Sequence, residues 1–226
     1  MMSDQITPNG CTTIFPALRF DAAGFVQCDD TGKVPLAILN AVRKRHNLSP
    51  RSPRGQRLAM AAIDDMFERF PGIREKLTPR TALVYSSLLG PQSMISKFQD
   101  DLLDFPEDQA MAGSFASSVH NAPSGGISVA YGLTGPYFSV TGTTDLFDES
   151  LRLALALLRG NFCDSVLLSA GEESTLLADA LRKVRPELPM ESAVALFITP
   201  GDPGVAYEKT GLDYMPFVKQ LLGEVQ

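Results

Sequence analysis

This chain is poor in the side chains that most metal and redox chemistry requires. Its 226 residues hold two histidines, His46 and His120, and three cysteines. Two imidazoles are too few for a His-rich zinc site, so no metal is expected. Cys11, Cys28 and Cys163 are odd in number, widely spaced and outside any CxxC pattern. They read as buried or incidental thiols in a reducing compartment, not as a disulfide set. No apolar run approaches the roughly 18 residues of a membrane span, and the polar opening Met1–Gly10 is no secretory signal. A soluble, cytoplasmic protein without a membrane partner is therefore expected. Gly125 and Gly126 form no GxGxxG fingerprint, which leaves no dinucleotide site and no cofactor to expect. A formal charge of −6 argues against nucleic acid.

Apolar residues make up 44 % and charged residues 20 % of the chain, the ordinary balance of an α/β domain with one substantial core. Strands are expected at Cys11–Phe20, Thr81–Leu89, Val166–Ser169 and Ala193–Thr199. Helices are expected at Val34–His46, from Gly90-Pro91 to about Leu103, and behind Ser52-Pro53, with Ser52 as N-cap. In the last of these Leu58, Ala62, Met66 and Phe70 recur at helical spacing before Pro71-Gly72 stops it. Phe105–Gln109 reads as a loop. Strands alternating with helices imply a mainly parallel sheet covered on both faces, in one domain over 1–226.

The most informative stretch is Ser114–Ser150. It reads as a glycine-bordered helix, a short strand, and a sharp turn at Thr143-Thr144-Asp145 into a second helix. From Leu151 to Arg159 only Arg152 and Arg159 are polar. A helix so apolar must be covered on nearly all sides. The Tyr214–Leu222 segment, a short amphipathic helix, or another chain is expected to do this.

These residues resemble the N-terminal half of a β-ketoacyl synthase, the condensing-enzyme branch of the thiolase fold. Ser124-Gly125-Gly126 with Ile127 and Val129 is similar to the family's glycine-containing helix, and Tyr131–Pro136 to its YGLxGP turn. Phe138-Ser139-Val140 stands as the strand to the nucleophile elbow. Leu155–Gly160 and Asp164–Gly171 stand as the following helix and strand. The resemblance runs from Thr81 to Pro200 and is strongest over Ser118–Asp145. It implies a thiolase-like α/β half-fold, a mixed, mainly parallel sheet of about five strands with helices on both faces.

The departures are as telling. Counted from Gly135-Pro136, the family's cysteine nucleophile falls at about Thr144, whose hydroxyl has no accessible anion without an adjacent base. Asp145 beside it would take the helix-terminal field that favours a thiolate. The family's two catalytic histidines lie in a C-terminal half that this chain is too short to contain. No catalysis of its own is expected. The resemblance is closest to the short ketosynthase-like subunits of bacterial type II systems, such as aryl-polyene systems, which act like chain-length factors beside an active ketosynthase. It implies a seam at Phe138, Val140 and Thr141, with Phe115, Val119, His120 and Asn121 near the partner's acyl tunnel. Two other functions stay open: a stand-alone acyl- or lipid-binding homodimer, and an acyl hydrolase or transferase using Thr144 or Asp145.

Plainer roles compete at several positions. Asp145 reads as the N-cap of the helix it precedes. His120 is either tunnel-lining or a buried histidine paired to backbone, and Asn121 is either a wall residue or a cap. Phe115 and Phe138 read as core or interface residues. Arg43-Lys44-Arg45-His46 with Arg51, Arg54 and Arg57 forms a basic island. It is either a solvated surface or a docking site for an acidic acyl carrier protein. Gly171-Glu172-Glu173 reads as a solvated loop before it reads as an acid/base or metal site. Met94, Met111 and Met215 read as core fillers.

Overall fold

The computed structural model describes residues 12–13, 18–105, 112–142, 145–201, 207–208 and 214–224. Thr12–Thr13 (β1) pairs with Tyr207–Glu208 (β7) as a two-stranded ribbon apart from the main sheet. The main sheet joins β2 (Leu18–Gln27), β3 (Thr81–Ser86), β4 (Tyr137–Val140), β5 (Ser165–Glu172) and β6 (Ser192–Pro200) in the order β2-β6-β5-β3-β4. β4, β3 and β5 run parallel, and β6 is antiparallel to both β5 and β2. Four of the five strands thus point one way.

Alternate residues of each strand serve opposite cores, as the period of two requires. Ala82 and Val84 face one core with Leu151, Ala154, Leu157 and Leu158 of α6 (Leu146–Arg159) and with Phe217 and Val218 of α8 (Met215–Leu221). Leu83 and Tyr85 face the other, beneath α1 (Leu36–Arg45), α2 (Arg54–Arg69) and α5 (Ala122–Tyr131). α6 is therefore covered by the sheet on one side, and α8 joins the same core. Phe217 meets Phe147 of α6 at 6.0 Å between ring centroids.

The first long strand runs from Leu18 to Gln27, downstream of the expected Cys11–Phe20, half of which lies outside the described residues. Its sequence, LRFDAAGFVQ, is masked by small residues and an aspartate. Their reason is packing. A Cβ on Gly24 would lie 2.4 Å from the Met66 nitrogen, so α2 crosses β2 with its backbone almost against the strand. Asp21 sits at a register shift between Phe20 and Ala22, where it accepts from Thr199 Oγ1 at 2.7 Å.

α2 begins one residue later than expected. Pro53, in an extended conformation, holds the cap position without a side-chain cap bond, and the Ser52 hydroxyl is buried with no partner. Ser52 is thus not the N-cap: Pro53, at ψ 142°, is outside the helix, which starts at Arg54. α3 spans Gln92–Asp104. Behind it α4 (Ala112–Ser118) and α5 are separate short helices, with Pro123 in the first turn of α5. α7 (Leu176–Val184) links β5 to β6 and is capped by Thr175, whose hydroxyl accepts from Ala178 N. Met94 is buried and Met215 packs on the core, whereas Met111 lies outside the described residues. Cys28 and Cys163 are free thiols.

Candidate functional site

The elbow is assembled from β4, the turn after it and the start of α6. β4 is the last strand of the sheet, and its outer edge is unpaired among the described residues. Gly132, at φ 66°, closes α5 in the left-handed conformation that glycine adopts without strain. Gly135 then passes directly under β3: a Cβ there would lie 2.3 Å from the Thr81 carbonyl oxygen. Leu83 N donates to Pro136 O, which fixes β4 beside β3. These contacts explain the glycines of the Tyr131–Pro136 turn. On the other side the Ser124 and Ser139 hydroxyls meet at 2.8 Å and tie α5 to β4.

Thr143 and Thr144 lie outside the described residues. Asp145 follows them at φ 50° and ψ 22°, a left-handed conformation uncommon for a side chain that is not Asn, Asp or Gly. Asp145 holds the cap position, but its side chain makes no cap bond; its carbonyl accepts from Glu149 N instead. The expected side-chain cap is thus not made, and the carbonyl bond is the one that any residue in the cap position accepts.

The remaining expected site residues lie on α4, the bend after it and β4. Phe115 on α4 is 55 % exposed and lies 5.4 Å from the Phe98 ring of α3. Val119 is half-buried, and His120 and Asn121 are exposed in the bend between α4 and α5. His120 is therefore not a buried histidine; its ring rests against Gly90, where a Cβ would come within 2.7 Å of it. Phe138 is exposed, Val140 packs partly on the core and Thr141 is exposed. α4 packs on α5 and α5 on β4, which makes the two groups neighbours, but Ser139 faces α5, so Phe138 and Val140 alternate to the opposite side of the sheet. Val129 of α5, 84 % exposed, and Tyr137 of β4 are also exposed, and neither was expected at the seam. Their signal was present: both are large apolar or aromatic residues beside the turn and the edge strand.

The basic island is only in part solvated surface. Arg45 pairs with Asp64 at 3.1 Å and Glu68 at 2.9 Å, and His46 is buried against Asp64 at 3.0 Å. Arg54 grips buried Glu191 with two bonds, of 2.6 and 2.7 Å. Arg57 is held below the usual guanidinium range by burial and then by the charges of Arg54 and Arg43. Lys44 and Arg51 are exposed and Arg43 is half-buried.

The Gly171-Glu172-Glu173 segment is not a solvated loop. Glu172 closes β5 at 5 % exposure and Glu173 follows at 4 %. Glu172 accepts from Leu88 N at 2.6 Å and from the Ser87 hydroxyl at 3.2 Å. Glu173 accepts from the nitrogen and the hydroxyl of Ser93 at 2.7 and 2.9 Å. Burial pushes the Glu172 carboxyl up to about 8, and burial raises Glu173 as well. Sequence reasoning missed this because an acidic pair after a strand looks like solvent-facing charge. Beside the pair is a cleft of about 90 Å³ walled by Leu88, Leu89, Leu181, Leu188 and Pro189. Among the described residues no group of three His, Cys, Asp or Glu side chains is placed to hold a metal ion, and no helix is long and apolar enough to cross a membrane.

No curated protein matches the chain by sequence. Among solved structures it is similar to a chain of a ketosynthase (ApeO) in complex with its chain length factor (ApeC) from Xenorhabdus doucetiae. The TM-score is 0.64 at 18 % identity, covering 93 % of both chains. It is also similar to the ishigamide ketosynthase/chain length factor, with TM-score 0.62 at 16 % identity over 81 % of this chain and 62 % of that one. A third is AntDE:AntF, a type II PKS acyl-carrier protein in complex with its ketosynthase bound to the hexaketide, with TM-score 0.60 at 14 % identity over 82 % and 63 %. The chain thus spans under two thirds of the latter two, and at these identities the likeness carries the fold: a thiolase-like mixed sheet of five strands with helices. The family described as "Beta-ketoacyl synthase, N-terminal domain" matches over residues 75–216, more than half of the chain, and the protein belongs to that family.

Proposed function

We propose that the chain is a non-catalytic, chain-length-factor-like subunit that pairs with an active β-ketoacyl synthase and shapes its acyl tunnel. One observation carries this reading. The elbow stands in the family's order, from β4 into α6, while the sequence puts Thr144 and Asp145 where the family's cysteine belongs. A carboxylate at that helix start disfavours a neighbouring anion. The edge of β4, unpaired among the described residues, carries exposed Tyr137 and Phe138, and Phe115 and Val129 are exposed on the helices nearby, features of the kind that mark protein contacts. In this reading acyl transfer to cysteine and decarboxylative condensation belong to the partner, in fatty-acid or polyketide-type synthesis such as that of aryl polyenes. An acyl carrier protein docks on the complex, and Arg43 and Lys44 supply this subunit's share of the steering charge.

The test is the solution mass of this chain, alone and co-expressed with the ketosynthase encoded nearest to it. A one-to-one complex is expected. A well-behaved monomer or homodimer that ignores every ketosynthase offered would overturn the reading in favour of a stand-alone binding protein. Within the complex, Phe115→Ala is expected to lengthen or broaden the products; an unchanged distribution removes Phe115 from the tunnel wall.

A further inference from the structure

The surface carrying His120 and Phe115 is secured from its buried side. We infer that Glu172 and Glu173 form a proton-held latch on the Ser87–Ser93 loop, and that this latch sets the α3–α4–α5 face offered to the condensing partner. The partner's identity rests on the preceding reading; the latch itself does not.

The two carboxyls hold the loop at both ends. Glu172 takes Leu88 N and the Ser87 hydroxyl, and that hydroxyl in turn accepts from Gly90 N at 3.1 Å. Glu173 takes the nitrogen and hydroxyl of Ser93, in the first turn of α3. Between these anchors lies Gly90, at φ 67°, with the His120 ring seated against it. Beyond them α3 packs along α4, where Phe98 meets Phe115. A shift of the loop therefore displaces both the seat of His120 and the helix behind Phe115.

Among the charges of the described residues around Glu172, Arg182 alone opposes the shift, by favouring the carboxylate, and burial outweighs it. Arg54 is bound to Glu191, and Arg182 to Asp179 at 2.7 Å and to the Pro189 carbonyl. Arg185 is bound to Glu187, while the charge of Glu173 acts on Arg57. Glu173 and Glu191 are like charges, and Tyr85 is a buried phenol whose own ionisation is driven up first by burial and then by Glu172. Burial beside the apolar cleft is what raises Glu172 to about 8. When the loop opens, water reaches the carboxyl and returns it towards the ordinary 4.5. The open loop thus binds fewer protons than the closed one. By linkage, raising the pH through this window favours opening, by up to about tenfold per pH unit, and the effect levels off once the closed form has also ionised.

The test is amide exchange on the full chain between pH 5.5 and 8.5, comparing wild type with Glu172→Gln at each pH so that intrinsic exchange cancels. The expected result is a wild-type-to-variant ratio that rises with pH over 87–93 and, in step, over 112–131. A flat ratio over 87–93 overturns the latch; a rise confined to that loop overturns its control of the face. Ser87→Ala, which removes a hydroxyl that stabilises the carboxylate, serves as the second variant and should move the rise to higher pH; an unmoved curve also counts against the latch. With the condensing subunit present, wild-type affinity should weaken as pH rises and that of Glu172→Gln should not. If no ketosynthase binds at any pH, the heterodimer reading fails, and the exchange over 112–131 alone decides the inference.

Discussion

At Asp64, on α2, a single carboxylate receives three side chains from two other elements. His46 Nε2 lies 3.0 Å from both oxygens, the Tyr131 hydroxyl donates at 2.8 Å and Arg45 Nη1 stands at 3.1 Å. The network joins the end of α1, the middle of α2 and the end of α5, just before the Gly132 turn that leads to β4. Burial first, and then the charge of Asp64, drives the Tyr131 hydroxyl upward, so it stays a donor at any working pH. Asp64→Ala leaves a partly buried cation and two polar groups facing an empty site. The expected loss is about 3–5 kcal/mol, the range for breaking a buried pair, read from urea unfolding at pH 7. A loss below about 1 kcal/mol would mean that water enters and satisfies all three. None of this was legible beforehand. The sequence shows His46 only as the last member of a basic run, and nothing local links it to a carboxylate 18 residues on or a tyrosine 67 beyond that. The same lesson limits the carrier-docking idea. Because Arg45 is built into this network, its reversal would damage the fold. The informative variant is Arg43→Glu with Lys44→Glu, which is expected to slow carrier-dependent turnover of the complex and to flatten its salt dependence. Turnover and salt response both unchanged would remove that patch from docking.

Among elements, α6 shows what a sequence pattern can and cannot convey. Its run from Leu151 to Leu158 required cover on a second side, and α8 joins that core: Phe217 and Val218 are buried with Leu151 and Leu158. Phe217 also meets Phe20 of β2 edge-on at 5.2 Å. Phe217→Ala should cost about 3–5 kcal/mol, as truncations of buried aromatics do, and should bare the apolar side of α6. The measurement is thermal unfolding together with light scattering; an unchanged melting temperature without aggregation would show that α8 is not needed as cover. Elements with a strong period or an uninterrupted apolar run were legible: β3, β5, β6, α2 and α6 stand close to where the pattern puts them. β2 was not, because its core-facing positions are filled by Ala22, Ala23 and Gly24, residues chosen by how near α2 approaches. The division between α4 and α5 was hidden too, since only tertiary packing separates two helices whose joint sequence has no strong breaker before Pro123.

For the whole molecule the balance of buried charge sets an unusual response to pH. Most folded proteins gain stability as their carboxyls ionise, because ion pairs and hydrogen bonds lower those pKa values. Asp29 and Glu187 follow that rule, held low by the Thr31 hydroxyl and by Arg185 respectively, and what they contribute is lost as pH falls through their depressed values. Glu172 and Glu173 oppose it, and they are the buried pair. For a carboxyl raised from 4.5 to about 8, the unfolded chain gives up its proton first. Its contribution is complete below 4.5, declines as pH rises through the interval and is gone above about 8. Glu173 adds to the same decline, since burial moves it in the same direction. The chain is therefore expected to be most stable on the acidic side of neutrality and to weaken toward pH 8. Urea midpoints at pH 5.5, 6.5, 7.5 and 8.5 test this directly. In Glu172→Gln, which keeps an acceptor for Leu88 N and carries no charge, the midpoint should fall less steeply and exceed the wild-type value at pH 8.5. A variant that keeps the full wild-type slope would assign the response to other groups, and one that is weaker at every pH would show that the proton on Glu172 makes a bond the amide cannot replace.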